Sequence, residues 1–183
     1  MKTKLVLAAC VVLLITAGFD CINSPLNVAL NLDPIAGCVA VNPGNGLFNS
    51  TSSAISLKGV IPSDYLDKLT TLRISDIRVR VSGNYPNGNV SGTGYFRFDN
   101  GVERTLLTFN GPYSSFAGGV SMLNSGGLIT YNPAGLQALI GALSNVKNLP
   151  STIVLRGQGS GPAVAQSFNV CLDILMQADA NVN

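Results

Sequence analysis

Catalytic chemistry in this sequence is limited first by a residue type that is missing, because the 183 residues include no histidine. A Ser-His-Asp triad, a Cys-His nucleophile and any metal site built on histidine are therefore excluded. A serine activated by lysine would need a buried lysine beside it, and we expect none among Lys58, Lys68 and Lys147. The sequence thus predicts no catalytic residue and no metal-ligating residue.

Carboxylates and glycines form two further patterns that could carry chemistry. Asp64 and Asp67 are interpreted as acids in the first turn of a short helix, where they interact favourably with the helix dipole. A glycosidase-like pair would need the fold to bring two of the scattered carboxylates together. The glycine-rich segment 157–162 is followed by no helix that could hold a phosphate, so it predicts a loop between strands and no cofactor.

The composition is that of a β-rich domain with no excess charge. Hydrophobic residues make up 46% of the chain and charged residues 11%, and there are 20 glycines. Lys2 and Lys4 are two of the eleven basic residues, so the chain from Phe19 onward has nine basic and nine acidic residues. Because a neutral domain has no electrostatic footprint for nucleic acid, the sequence predicts no nucleic-acid partner. A protein or small-molecule partner stays open.

The first 18 residues have the three-part pattern of a removable secretory signal. A basic start at residues 1–4 is followed by an apolar run, and the small pair Ala17-Gly18 ends the pattern. A retained anchor is the alternative, but the apolar run over residues 5–19 is fifteen residues long, short of the ~20 that cross a bilayer. We predict a signal peptide at 1–18, a tether at 19–30 and one β-rich domain at 31–183.

This leader resembles those of bacterial exported proteins, including cell-envelope lipoproteins whose leaders end in a small-residue box before an acylated cysteine. Cys10 follows such a box but lies inside the apolar run, whereas Cys21 has the expected position and lacks the box. The resemblance covers only the first 21 residues. It implies an extracytoplasmic location, in the periplasm, at the outer surface or outside the cell. It also makes Cys21 the candidate lipidation site, with a lipid anchor as the membrane contact.

Cleavage near Gly18 leaves three cysteines, Cys21, Cys38 and Cys171, in an oxidising compartment. If Cys21 is acylated, Cys38 and Cys171 are left to form a disulfide. If Cys21 is not acylated, it either pairs with one of them or stays free. Cys38 and Cys171 as ordinary buried thiols are a further alternative. Three thiols without histidine and without a Cys-x-x-Cys spacing do not predict a zinc site.

The hydrophobic periodicity is mostly two, which predicts β-strands. The clearest strand covers residues 168–176, where apolar and mainly polar side chains alternate. Another strand carries Arg78 and Arg80 on one face, which we interpret as a solvated face rather than an anion site. The hydrophobic phase of that strand changes near Ser75-Asp76, which predicts a β-bulge.

A hairpin is predicted where Asn100-Gly101 separates two runs with strand character, because this dipeptide accepts positive φ at both central turn positions. Further short runs are bounded by Gly, Asn, Ser or Pro at spacings typical of sandwiches and barrels, which indicates about seven to nine strands. These runs cover residues 54–60, 119–123, 128–131 and 152–156, and residues 28–32 and 37–41 offer a further pair at the start of the domain.

Two segments have helical patterns instead. Asn132-Pro133 offers an N-cap and a first-turn proline before an apolar stripe, which predicts a helix over residues 133–145. The stripe consists of Leu136, Leu139, Ile140 and Leu143. A shorter helix is predicted over residues 63–69 with Ser63 as its cap. We expect the longer helix to cover an end or a face of the sheets rather than to form a lid over a ligand.

Together these patterns predict a mainly β, antiparallel, sandwich-like or barrel-like domain with one amphipathic helix and one short helix. We expect an exported cell-envelope protein that acts as a non-catalytic binding or structural module. The alternative is a subunit of a surface assembly or filament that uses strand addition, with residues 168–176 as the adhesive strand. A histidine-free carboxylate hydrolase is the lowest-ranked class.

Overall fold

Two antiparallel sheets dominate the computed structural model, which describes residues 26–41, 45–83, 88–162 and 168–182. The predicted signal peptide, Cys21 and the start of the predicted tether lie outside these residues. The strands are β1 (Leu26–Asn31), β2 (Ile35–Val41), β3 (Leu47–Thr51), β4 (Ile55–Ser56), β5 (Leu69–Ser82), β6 (Asn89–Phe98), β7 (Arg104–Pro112), β8 (Val120–Ser121), β9 (Ile129–Tyr131), β10 (Thr152–Ser160) and β11 (Phe168–Val182). The α-helices are α1 (Tyr113–Phe116) and α2 (Pro133–Ser144), and 3-10 helices cover Lys58–Val60, Ser63–Lys68, Met122–Asn124 and Val146–Asn148.

In each sheet, two short strands share one edge of a longer strand. The first sheet has the order β1-β11-β5-β8, and β2 lies on the same edge of β11 as β1. The second sheet has the order β3-β10-β6-β7-β9, and β4 lies on the same edge of β10 as β3. Every pairing is antiparallel, so the predicted mainly β, antiparallel, sandwich-like fold is confirmed.

The centre of the first sheet is β11, whose alternation the sequence shows most clearly. β5 pairs with one of its edges from Asn169 to Ala180, and β2 and β1 pair with the other. Leu175 faces Asp76 while Met176 faces Ile74, so Ser75 is the extra residue of a β-bulge, and the predicted bulge is confirmed. Because both edges of β11 are paired, residues 168–176 offer no free edge for strand addition.

Side chains fill the space between the sheets where the sheets approach closely. A Cβ on Gly37 of β2 would lie 2.7 Å from the Cβ of Leu155 on β10, so glycine is needed for this separation. The space left beside these residues is about 20 Å³, room for roughly one water. Nearby, the rings of Tyr113 and Phe168 pack edge-to-face at 4.8 Å. This part of the interior is a packed core that has no room for an organic ligand.

The predicted hairpin between β6 and β7 exists, but its turn differs from the prediction. Asp99, with a φ of 43°, takes the left-handed conformation, and Asn100 and Gly101 do not. The Asp99 carboxylate accepts hydrogen bonds from the backbone N–H of Thr152 at 2.8 Å and of Ser151 at 3.3 Å. The Thr152 hydrogen bond is the main reason that the pKa of Asp99 is lowered. A contact with a distant strand therefore overrides the local preference of Asn-Gly.

The N-terminal part of the domain differs from the prediction in two ways. The predicted tether at 19–30 is wrong from residue 26 onward, because Leu26–Asn31 pairs with β11. The predicted helix at 63–69 is a 3-10 helix over Ser63–Lys68 that has no side-chain cap, since Pro62 occupies the cap position. Ser63 Oγ instead donates a hydrogen bond to Asp64 at 3.3 Å.

Three other segments also depart from the prediction. Residues 54–60 form only the two-residue β4 before a 3-10 helix, and 119–123 form only β8 before another. Segment 157–162 is a loop only in its last two residues, because β10 continues to Ser160. A Cβ on Gly159 would collide with the backbone of β6, so the glycine that suggested flexibility instead permits close strand packing.

Helix α2 closes one side of the sandwich, as the sequence predicts. Asn132 Oδ1 accepts a hydrogen bond from the Gly135 N–H at 2.9 Å, which confirms the predicted cap. Leu139 and Leu143 are buried, whereas Ile140 is 37% exposed and lies at the margin of the predicted stripe. The buried face is narrower than predicted because the backbone of Gly135, and not a large side chain, makes the contact with β7.

Gly135 and Gly141, both on α2, give a matched test of this packing. A Cβ on Gly135 would collide with the carbonyl oxygen of Thr105, whereas nothing lies within 4 Å of a Cβ on Gly141. We expect Gly135→Ala to lower the free energy of unfolding by about 1–3 kcal/mol, because the helix must move away from β7. We expect Gly141→Ala to raise it by about 0.5–1 kcal/mol through helix propensity. Urea unfolding measures both, and equal effects of the two changes would contradict the contact.

Candidate functional site

Cys38 and Cys171, one of the pairings that the sequence leaves open, are joined by a disulfide between β2 and β11. They stand directly opposite each other in the antiparallel register, and Cys171 is only 1% exposed. The bond spans a sequence separation of 133 residues, for which the chain-entropy account gives a stabilisation of about 4–5 kcal/mol. Cys21 lies outside the described residues, so its lipidation stays a prediction.

The described residues form no cluster of metal ligands. No three residues of the His, Cys, Asp and Glu types there come close enough to hold a metal ion. Sequence reasoning missed one Ser-x-x-Lys spacing, Ser144 and Lys147, but Ser144 ends α2 and both residues are exposed. A lysine that activates a serine must be desolvated, so this pair forms no activated nucleophile.

The outer face of the first sheet carries arginines and aspartates that neutralise each other. Arg78 forms an ion pair with Asp76 at 2.8 Å, and Arg80 forms one with Asp173 at 3.1 Å. Asp76 also accepts a hydrogen bond from Ser121 Oγ at 2.8 Å. Both arginines lie on one face, as predicted. Each is already paired with an aspartate of the same sheet, so its positive charge is not free to bind an anionic ligand.

The outer face of the second sheet differs, because uncharged polar side chains line up across its strands. Thr93 on β6 stands opposite Thr108 on β7, which stands opposite Thr130 on β9. On the other side, Thr93 faces Gln158 on β10, and Gln158 faces Asn49 on β3. We call these five residues the polar row. All are exposed or half-buried, and the row crosses five strands over ~19 Å.

A second line of uncharged side chains runs parallel to the polar row. Ser160 faces Ser91, and Ser91 faces Asn110. The Oγ atoms of the two serines are 3.3 Å apart, within hydrogen-bonding distance. These three residues and the polar row together are called the polar face. None of these eight residues is charged, but the charged residue Arg156 lies beside them.

Arg156 on β10 anchors one side of the polar face. Its Nε and Nη2 donate to the two carboxylate oxygens of Glu103 at 2.9 and 2.7 Å, which is a bidentate pair. The guanidinium also lies over the ring of Tyr95, 4.1 Å from the ring centre. The hydrogen bond from Arg156 is the main reason that the pKa of Glu103 is lowered, while desolvation by burial acts in the opposite direction.

The same arginine orients two amides of the polar row. Arg156 Nη1 donates to Asn49 Oδ1 at 2.8 Å and to Gln158 Oε1 at 3.1 Å. Since the oxygens are occupied, each side chain is left with its NH₂ group as the free donor, and neither NH₂ group has a hydrogen-bond partner among the described residues. Two outward donors are thus held beside three threonine hydroxyls.

Comparison with known proteins adds no functional assignment. No protein-family model, no curated protein sequence and no solved structure matches this chain. Among the helices of the described residues, none combines the length and the hydropathy that a bilayer crossing needs. The function must therefore be inferred from the disulfide, the polar face and the cluster around Arg156.

Glu103 gives a test of that cluster through pH. Because its pKa in the folded protein lies below the ordinary value of 4.5, its stabilising contribution is present above that pH and is lost as the pH falls through the lowered pKa. We expect Glu103→Gln to lower the free energy of unfolding by up to about 1 kcal/mol at neutral pH. The difference from the wild type should shrink under acid conditions in which Glu103 is protonated.

Asp64→Asn is the matched control for urea unfolding at the two pH values, because Asp64 is exposed and its side chain accepts only from Ser63 among the described residues. We expect it to change stability little at either pH. A Glu103→Gln effect of equal size under neutral and acid conditions would contradict the ion pair as the source of the stabilisation.

Proposed function

We propose that this chain is an exported, non-catalytic binding module of the cell envelope, and that its polar face binds a neutral glycan chain. The observation that carries the proposal is the register of the polar row, in which hydroxyl and amide groups of five adjacent strands stand side by side. A linear, hydroxyl-rich polymer laid across the strands would meet a polar group at every strand.

The chemistry of the polar face fits sugar hydroxyls. The hydroxyl of Ser or Thr and the amide of Asn or Gln each supply both a donor and an acceptor, and a sugar hydroxyl does the same. Arg156, the cation in contact with the polar face, is neutralised by Glu103, which favours a neutral polymer over a polyanion. Nucleic acid fits poorly, because phosphate binding requires several positive charges.

Preorganisation also supports the proposal. Arg156 donates to the amide oxygens of Asn49 and Gln158, so a ligand need not orient these two flexible side chains when it binds. Thr93 and Thr108 are β-branched residues in paired strands, and their side chains have few alternative rotamers. A rigid array loses little conformational entropy on binding, which helps a flat surface to bind a polymer.

The glycan proposal is tested by affinity gel electrophoresis in soluble glucan, mannan, xylan and galactan, with alginate as the polyanionic comparison. We expect at least one neutral polysaccharide to retard the protein. The double variant Thr93→Val and Thr108→Val keeps shape and β-propensity but removes two hydroxyls, so it should weaken retardation roughly tenfold or more.

Thr70→Val is the control, since Thr70 is an exposed threonine of β5 in the other sheet. It should be retarded like the wild type. Retardation by alginate alone, or equal retardation of the double variant and the wild type, would rule out the polar face as a neutral-glycan site.

The export part of the proposal combines the leader with the disulfide. Stable disulfides form in oxidising, extracytoplasmic compartments, and the Cys38–Cys171 bond suits such a location. The leader at 1–18 supplies the route, and Cys21 is the proposed point of lipid attachment. With Cys38 and Cys171 paired, Cys21 is the cysteine that remains available after cleavage.

Intact mass of the protein from membrane and soluble fractions of its host tests export. We expect a chain that starts at Cys21 with added acyl groups, or an unmodified chain that starts near Phe19. Alkylation should label Cys38 and Cys171 only after reduction. An uncleaved chain, or labelling of both cysteines without reduction, would count against the proposal.

A further inference from the structure

A groove at one end of the sandwich is separate from the polar face. It lies among the 3-10 helices Lys58–Val60, Ser63–Lys68 and Val146–Asn148, and no polar-face residue lines it. Its volume is about 450 Å³, within the range of about 300–1,000 Å³ that small-molecule sites occupy. The groove is therefore large enough for an organic ligand, unlike the small space beside Gly37.

Four apolar side chains line the groove beside its charged residues. Leu66 and Leu69 come from the segment around the start of β5, and Val146 and Leu149 come from the segment that follows α2. All four are only partly buried and pack against the hydrophobic core. An apolar chain laid on them would remove exposed hydrophobic surface from water without any need to open the core.

The charged residues that line the groove are Lys58, Lys147 and Asp67. The four ion pairs of the described residues are all made by arginines, so neither lysine has an ion-pair partner there. The groove thus combines two unneutralised ammonium groups with one carboxylate, which leaves an excess of one positive charge. This excess matches a ligand with a single negative charge.

The lysines are unevenly distributed over the domain. From Phe19 onward the sequence has only Lys58, Lys68 and Lys147, and each belongs to one of the 3-10 helices that surround the groove. Arginines occupy the basic positions on the sheets, where most of them are paired with carboxylates. Lysines scattered only for solubility would not be expected to gather at one end of the domain.

We propose that this groove binds a single-chain carboxylate amphiphile of the fatty-acid type. The alkyl chain would lie on the leucine and valine side chains, and the carboxylate would lie between the ammonium groups of Lys58 and Lys147. A volume of about 450 Å³ lies in the lower part of the range that small-molecule sites occupy, which suits an alkyl chain of medium length, about ten carbons. Asp67 disfavours ligands with two or more negative charges.

The test is isothermal titration calorimetry of the full chain with decanoate below its micelle-forming concentration. We expect saturable binding of one decanoate and much weaker binding of the chain-matched cation decyltrimethylammonium. The double variant Lys58→Gln and Lys147→Gln should weaken decanoate binding by at least about tenfold, since it removes both charge-assisted contacts. Both lysines are exposed, and thermal unfolding of the variant checks that it remains folded.

Lys68→Gln is the matched control, because Lys68 lies in the same end of the domain but does not line the groove. It should change decanoate affinity by less than about twofold. The proposal is overturned if decanoate does not bind, if Lys68→Gln weakens binding as much as the double variant, or if the cation binds equally well.

A further arm uses vesicles of phosphatidylcholine with and without phosphatidylglycerol. Binding to the anionic vesicles without binding to monomeric decanoate would assign the lysines to a membrane surface and overturn the proposal. The polar-face variant Thr93→Val and Thr108→Val should bind decanoate like the wild type. The experiments therefore test the glycan site and the carboxylate site independently of each other.

Discussion

The first sheet depends on the pairing of β11 along both of its edges. β5 follows one edge from Asn169 to Ala180, and β2 and β1 divide the other edge between them. Without β11, β1 and β2 would have no partner strand in the described sheet, and β5 would keep only the two-residue β8. The disulfide at Cys171 holds β2 to this strand, and a one-residue slip there would turn every inward side chain of β2 outward.

The two sheets bury similar inner faces but present different outer faces to solvent. On the first sheet, pairs such as Arg80 and Asp173 neutralise each other's charge, so the surface there is polar and the arginines are not left as free positive charges. On the second sheet, Arg156 is also satisfied, but its hydrogen bonds leave the amide donors of Asn49 and Gln158 directed away from it. Similar ion-pair chemistry thus neutralises the arginines of both surfaces, but only on the second sheet does it also orient neighbouring amide groups.

The sequence predicted the elements better than it predicted their partners. The shift in hydrophobic phase near Ser75 was sufficient to place a bulge, and Asn132-Pro133 was sufficient to start a helix, because both signals are local. The turn after β6 was mispredicted because Thr152, a distant residue, binds Asp99. The polar row had no signal in the sequence, since it exists only through the register of strands that are far apart along the chain.

The position of β11 within the chain also affects how the domain folds. The central strand of the first sheet, β11, is the last of the described strands along the sequence. β1, β2 and β5 therefore cannot form this sheet until residues 168–182 are present. Contacts of such large sequence separation make folding slow. During synthesis the first sheet therefore stays incomplete until residues 168–182 have left the ribosome, because β1, β2 and β5 reach their central partner only then.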